Sequence, residues 1–215
     1  MYNCFFFLFI LIPVAGYLLE RYLEHLNVRM WSDKLPSKLK GICDEKEYRR
    51  TQLYYRENLK LSVWSSTLNL AVIIIMLAAG GFALADTIAR SLSNNDVIIA
   101  LIFFFIIGFA SELINLPFSW YDTFVIEKKF GFNTMTKRTF ITDQLKSWFI
   151  ALLVGIPVLA IVTWIYYRTE KGFWIYAWLL ITAFTLFVNF FYSELIVPLF
   201  NKQTPLIESP LRTKI

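Results

Sequence analysis

"VIIALIFFFIIGFASELINLPF", residues 97–118, is the stretch whose reading decides the fold. It carries one ionisable side chain, Glu112, in a run long enough, at 1.5 Å per residue, to cross a hydrocarbon core of about 30 Å as a helix. The surrounding chain offers it no polar shell: 57% of the 215 residues are hydrophobic, 18% aromatic and only 17% charged. Such a chain belongs in a bilayer. Four further segments approach or exceed the same length, approximately residues 2–19, 61–85, 148–167 and 173–199. Together the five predict an all-α, polytopic transmembrane helical bundle and exclude a β-barrel.

Orientation follows from the cations, because cytoplasmic loops carry the excess of Lys and Arg. The loop before the second span holds ten, the loop between the third and fourth spans holds five, and the tail after Leu199 holds three. The opposite side has only Arg90, Arg168 and Lys171. Eighteen against three places the N-terminus outside and the C-terminus in the cytoplasm. The net charge of +5 thus reports topology and anionic lipid headgroups rather than nucleic acid. No Lys or Arg precedes Arg21, so the first apolar run is read as a retained anchor and not a signal peptide. On this topology Cys4 and Cys43 lie on opposite sides and form no pair.

The chain has no internal repeat or flexible linker and reads as one membrane domain, residues 1–215. Within the first loop, Asp44 followed by Glu47 resembles a capping box, and Tyr48, Gln52, Tyr55 and Leu59 recur at helical spacing. A helix leading into the second span is expected there. Trp148, Trp164, Tyr166, Tyr167, Trp174 and Tyr176 fall at segment ends, where amphipathic rings favour the interface.

Polar groups inside the spans are the first candidates for function, since they are costly in lipid and need a partner or a water-filled cavity. Glu112 and Asn115 share one helical face with Ser119 a turn further on, and Asn189, Ser193 and Glu194 mark one end of the fifth span. They either bond between helices or line a polar cavity. Catalytic constellations are missing. A zinc peptidase needs two His one helical turn apart with a Glu beside them, and this chain has one histidine, His25, read as an interfacial side chain. There is no G-x-S-x-G elbow, phosphate loop or paired-cysteine metal motif, and so no metal site or hydrolytic centre is expected in this chain.

The loop "LPFSWYDTFVIEKKFGFNTMTKRTFITDQLKS", residues 116–147, is dressed far more heavily than a connector requires. Its Leu116, Pro117, Phe118, Ser119, Tyr121, Thr123, Phe124, Val125, Ile126, Glu127, Lys129, Gly131, Phe132, Asn133, Thr136, Phe140, Asp143 and Lys146 resemble the signature of the zinc-dependent CAAX prenyl protease family, integral-membrane endopeptidases that trim prenylated C-termini. A second block, "IVPLFNKQTPLIESPLRTKI" at residues 196–215, is similar to the family's segment after its fifth span, through Pro198, Leu199, Phe200, Asn201, Lys202, Thr204, Pro205, Leu206 and Glu208. Residues 44–64 resemble the family more loosely.

The resemblance implies a chamber walled by membrane helices, with zinc held by an HExxH helix and a later Glu in a cytoplasmic metallodomain. In the family that domain follows the second block, so the zinc ligands cannot be carried over to any residue here. The chain is expected to be the N-terminal membrane region of a longer protein, or else to work beside a separately encoded catalytic half. Its partners would be the lipid bilayer, the metallodomain in cis or in trans, and a prenylated or otherwise membrane-associated peptide. The host membrane is the endoplasmic reticulum or a bacterial inner membrane. "KKFGFN" is expected to turn tightly at Gly131 or Asn133. Glu127, Lys128, Lys129 and residues 133–146, including Thr136, Asp143 and Lys146, are expected to pack under the metallodomain. The alternative is a non-catalytic membrane module that binds lipid or a partner protein, or forms a pore lined by Glu112 and Glu194.

Overall fold

The computed structural model describes residues 4–31, 35, 41, 44–169, 171–192, 194 and 197–200, and every regular element among them is helical. In chain order these are α1 (Cys4–Arg29), α2 (Glu45–Ala78), α3 (Gly81–Leu92), α4 (Asp96–Tyr121), α5 (Lys137–Arg168), α6 (Phe173–Phe191) and α7 (Val197–Phe200). A π-helical segment, Asp122–Glu127, continues α4. Five helical stretches are long and apolar enough to cross a membrane: Cys4–Arg29, Glu45–Ala78, Asp96–Glu127, Lys137–Arg168 and Phe173–Phe191. The expected all-α polytopic class is therefore the observed one. Two compact units divide the chain, Met1–Thr136 and Lys137–Ile215.

In the first unit α2 is the hub, touching α1, α3, α4 and the π-helical segment. The buried contacts are made largely by small or branched side chains: Ala85 and Ala89, one turn apart on α3, and Ile99 at the start of α4. Small residues let helix backbones approach closely where lipid removes the hydrophobic drive for association. Large apolar side chains point outward instead. Trp64, Trp174 and Phe190 leave 73%, 71% and 83% of their surface open, as side chains that face acyl chains must.

Several boundaries differ from the expected spans, each for a local reason. The second was expected to run through Ala85, but α2 ends at Ala78 and Gly80 adopts a left-handed φ of 73° before α3 begins. A Cβ on Gly81 would stand 2.3 Å from Met76 Sδ, so the Gly80–Gly81 pair permits both the turn and the close packing. With 12 residues, α3 is about 18 Å long and too short to span. Asn95 caps α4, its side-chain oxygen accepting from the Val97 and Ile98 amides at 3.0 and 3.2 Å. Asp44 occupies the N-cap of α2 with extended backbone, but its side chain makes no capping bond, so the expected capping box does not form.

The chain does not leave its helix at Pro117, which lies inside α4. Membrane helices tolerate proline because neighbours and local widening satisfy the freed carbonyls, and the π-helical turn begins only at Asp122. In the second unit α5 packs on α6, and Phe140 and Thr163 of α5 and Ala177 of α6 are buried. The fifth span was expected to reach Leu199; α6 runs to Phe191, Tyr192 and Glu194 are π-helical, and α7 covers Val197–Phe200, with residues 193, 195 and 196 outside the described residues. Cys43, Ser193 and residues 201–215, with most of the second sequence block, lie outside the described residues.

Candidate functional site

The heavily dressed loop folds as a corner rather than a loose connector. Helical structure runs on to Lys129 and closes with a left-handed glycine, Gly131, at φ 71°. The Phe132 amide donates to the Glu127 carbonyl at 2.9 Å and the Gly131 amide to the Lys128 carbonyl at 3.1 Å. These are the paired bonds of a Schellman cap, which satisfies carbonyls that a helix end leaves open. Of the two residues that could have taken the left-handed position, Gly131 takes it and Asn133 does not. Asn133 works through its side chain: Nδ2 donates to the Thr123 carbonyl at 2.7 Å, and Oδ1 accepts the Met135 amide.

The N-terminal half of α2 braces this corner. Arg50 donates through Nη2 to the Phe130 carbonyl and lies over the Phe132 ring, 5.2 Å from its centroid. Tyr54 packs edge-on against Phe130 and Phe132, with centroids 5.4 and 5.0 Å apart. Lys129 reaches Glu57 at 3.4 Å. Phe130 and Ile126 are buried beneath these contacts. The corner is thus bound to its own helix end and to a helix some seventy to eighty residues earlier in the chain.

A second polar contact links the same two helices deeper in the unit. Asn69 Nδ2 donates to Asn115 Oδ1 at 2.9 Å, Ser65 Oγ lies 3.4 Å from the same oxygen, and Asn115 Nδ2 donates to the Ser111 carbonyl at 2.9 Å. Of the two readings open for Asn115, interhelical bonding is the one its geometry serves. Ser119 donates weakly to the Asn115 carbonyl at 3.4 Å. Glu112, Pro117 and Tyr121 stand exposed on the helix surface.

In the second unit Asp143 and Lys146 meet at 3.4 Å, as their spacing predicts, and Lys146 also approaches the Leu199 carbonyl at 3.4 Å. Lys146 stands on an open groove of about 540 Å³ whose other walls are mainly apolar, among them Leu145, Phe149, Leu153 and Leu199. Asn189 donates to the Thr185 carbonyl of its own helix at 2.8 Å, and Glu194 is exposed, as is Thr136 in the first unit.

Sequence reasoning missed Arg50, Tyr54, Glu57, Ser65 and Asn69. The last two did leave a signal, being polar residues one turn apart inside an apolar run. A zinc ion finds no ligand set here: among the described residues no three His, Cys, Asp or Glu side chains converge, and His25 is exposed on α1. The described residues therefore do not fit the metal that the family resemblance implies.

Comparison with known proteins gives the same family from three directions. A family model described as "CAAX prenyl protease N-terminal, five membrane helices" matches residues 24–202. CAAX prenyl protease 1 homolog of Mus musculus is 30% identical over 208 residues, covering 93% of this chain and 44% of that protein. Probable CAAX prenyl protease 1 of Schizosaccharomyces pombe is 32% identical over 223 residues, covering 95% and 47%. The crystal structure of S. mikatae Ste24p superposes with a TM-score of 0.86 at 28% identity, covering 99% of this chain and 51% of that one. The chain spans about half the length of the curated relatives it matches. Five apolar helices and this match make it a multi-pass integral membrane protein, and the chain belongs to the CAAX prenyl protease N-terminal family.

Proposed function

We propose that this chain is the membrane domain of a zinc-dependent CAAX prenyl protease, and that its helices wall a chamber in which prenylated or membrane-associated peptides are cleaved. The metallodomain that would hold the zinc lies outside the described residues, and the N-terminus faces away from the cytoplasm as the cation count requires. The braced corner is the observation that carries this reading. A stretch bearing the family signature is fixed by a Schellman cap, by Asn133 and by three side chains of α2. A passive turn needs no such bracing, whereas a platform for a catalytic domain does, because supporting groups must hold reacting atoms in place. In the second unit the Asp143–Lys146 pair ties together the first turns of α5, within the same family signature.

The test uses a full-length protein carrying this region and a prenylated peptide substrate. Displacing a catalytic group by about 1 Å costs up to about a hundredfold in rate, so Asn133→Ala and Asp143→Asn should each lower cleavage by roughly tenfold or more. Cleavage and melting temperature that both stay at the parent values in the two variants would remove the corner from the mechanism.

A further inference from the structure

A second face of α2 is basic and exposed, and the protease reading does not use it. At 100° per residue, Lys46, Arg49, Leu53, Arg56, Lys60 and Trp64 fall within an arc of about 80°. All six are exposed, Leu53 and Trp64 by 54% and 73%. This arc is distinct from the one that braces the corner, where Arg50 and Tyr54 sit. It contains no acid; Glu45 and Glu57 lie at its two borders. Of its four cations only Lys60 has an ion-pair partner among the described residues, Glu57 at 3.5 Å, and the Lys60 side chain is still 70% open. Arg56 stands 5.7 Å from the centroid of Trp31 at the end of α1.

We propose that this stripe binds the anionic headgroups of phospholipids in the bilayer that α2 itself crosses. The occupant follows from continuity and charge. The apolar part of α2 begins at Leu61, and Trp64 stands one turn inside it, where an indole favours the headgroup level. Lys60 and Arg56 precede Trp64 by about 6 and 12 Å along the axis. The headgroup layer adds roughly 5–8 Å beyond each side of the hydrocarbon, so these two cations reach the lipid phosphates and carboxylates. Arg49 and Lys46 lie a further 10–15 Å out, beyond a Debye length of about 8 Å, and act more weakly. Each cation near the surface contributes about fivefold to association with anionic lipid.

The test is quenching of tryptophan fluorescence by brominated lipid in nanodiscs holding the full chain. Seven tryptophans contribute, so the Trp64 component is taken as the difference between the parent and Trp64→Phe. Brominated phosphatidylserine should quench that component with an apparent association at least about fivefold tighter than brominated phosphatidylcholine at low salt, and the preference should collapse at high salt. Lys60→Gln with Arg56→Gln should abolish it, the exchange Lys60→Arg with Arg56→Lys should keep it, and Lys46→Gln with Arg49→Gln should remove less than half. Equal quenching of the Trp64 component by the two lipids, with all four cations in place, overturns the proposal. A preference that survives Lys60→Gln with Arg56→Gln overturns it as well, and assigns the face to a different occupant.

Discussion

Two turns of this chain rest on a glycine in the left-handed region and differ in what stands behind it. Gly131 closes the helix that begins with α4, at φ 71°, and Gly172 opens α6 at φ 91°. A Cβ on Gly131 would come within 3.1 Å of Arg50 Nη2, whereas nothing stands within 4 Å of one on Gly172. Around Gly172 the side-chain contacts among the described residues are generic: Arg168 lies over Trp164 at 5.8 Å, and Tyr166 meets Phe173 edge-on at 5.2 Å. The backbone asks for glycine in both places. Among the described residues only the first turn is also gripped by a helix that does not flank it, which marks it as a turn whose position matters as well as its direction.

The largest expected effect separates those two demands. Gly131→Ala and Gly172→Ala both place a Cβ in left-handed backbone, at a cost of about 1–2 kcal/mol. Gly131→Ala also makes Arg50 Nη2 give way by a few tenths of an ångström, which weakens its bond to the Phe130 carbonyl and should cost up to about 1 kcal/mol more. Thermal unfolding of the purified chain in detergent should therefore show the larger drop for Gly131→Ala. Equal drops would mean that Arg50 does not brace the corner.

Arg50→Ala removes the brace directly while leaving both glycines in place. The carbonyl hydrogen bond and the stacking over Phe132 together predict a loss of about 1.5–2 kcal/mol. Arg50→Lys keeps a charge but not the planar fork that bonds and stacks at once, and should recover less than half of the loss. If Lys restores full stability in the same unfolding measurement, the contact is a simple charge effect and the contrast between the two turns narrows to backbone conformation.

What the sequence made legible here, and what it hid, follow from the same physics. Lipid demands continuous apolar runs, so the helical class and the five long segments could be read from composition alone. The break at Gly80–Gly81 was hidden because the residues around it stay apolar, and a hydropathy reading passes over a turn that needs no polar side chain. Asn115 stood out as a polar group in lipid, yet its partner Asn69 could not be chosen from one sequence, since any polar residue at similar depth would have served. The corner shows the same limit. Gly131 could be named from its turn chemistry, but Arg50, Tyr54 and Glu57 sit in the first loop, and nothing local to either segment reports that they meet.

The smallest effect concerns the ion pair between those segments. Lys129 and Glu57 meet at 3.4 Å, with 60% and 33% of their side chains exposed, and Glu57 is shared with Lys60 at 3.5 Å. Exposed pairs add little, because water screens them and ordering two side chains costs entropy. Lys129→Gln and Glu57→Gln, alone and combined, should leave the melting temperature almost unchanged, and any coupling in the double-mutant cycle should vanish as salt is raised. A coupling that persists at high salt would mean the pair is shielded from solvent in the working protein. A covering partner would then lie over this corner, and the contrast with the turn at Gly172 would become one of burial as well as bracing.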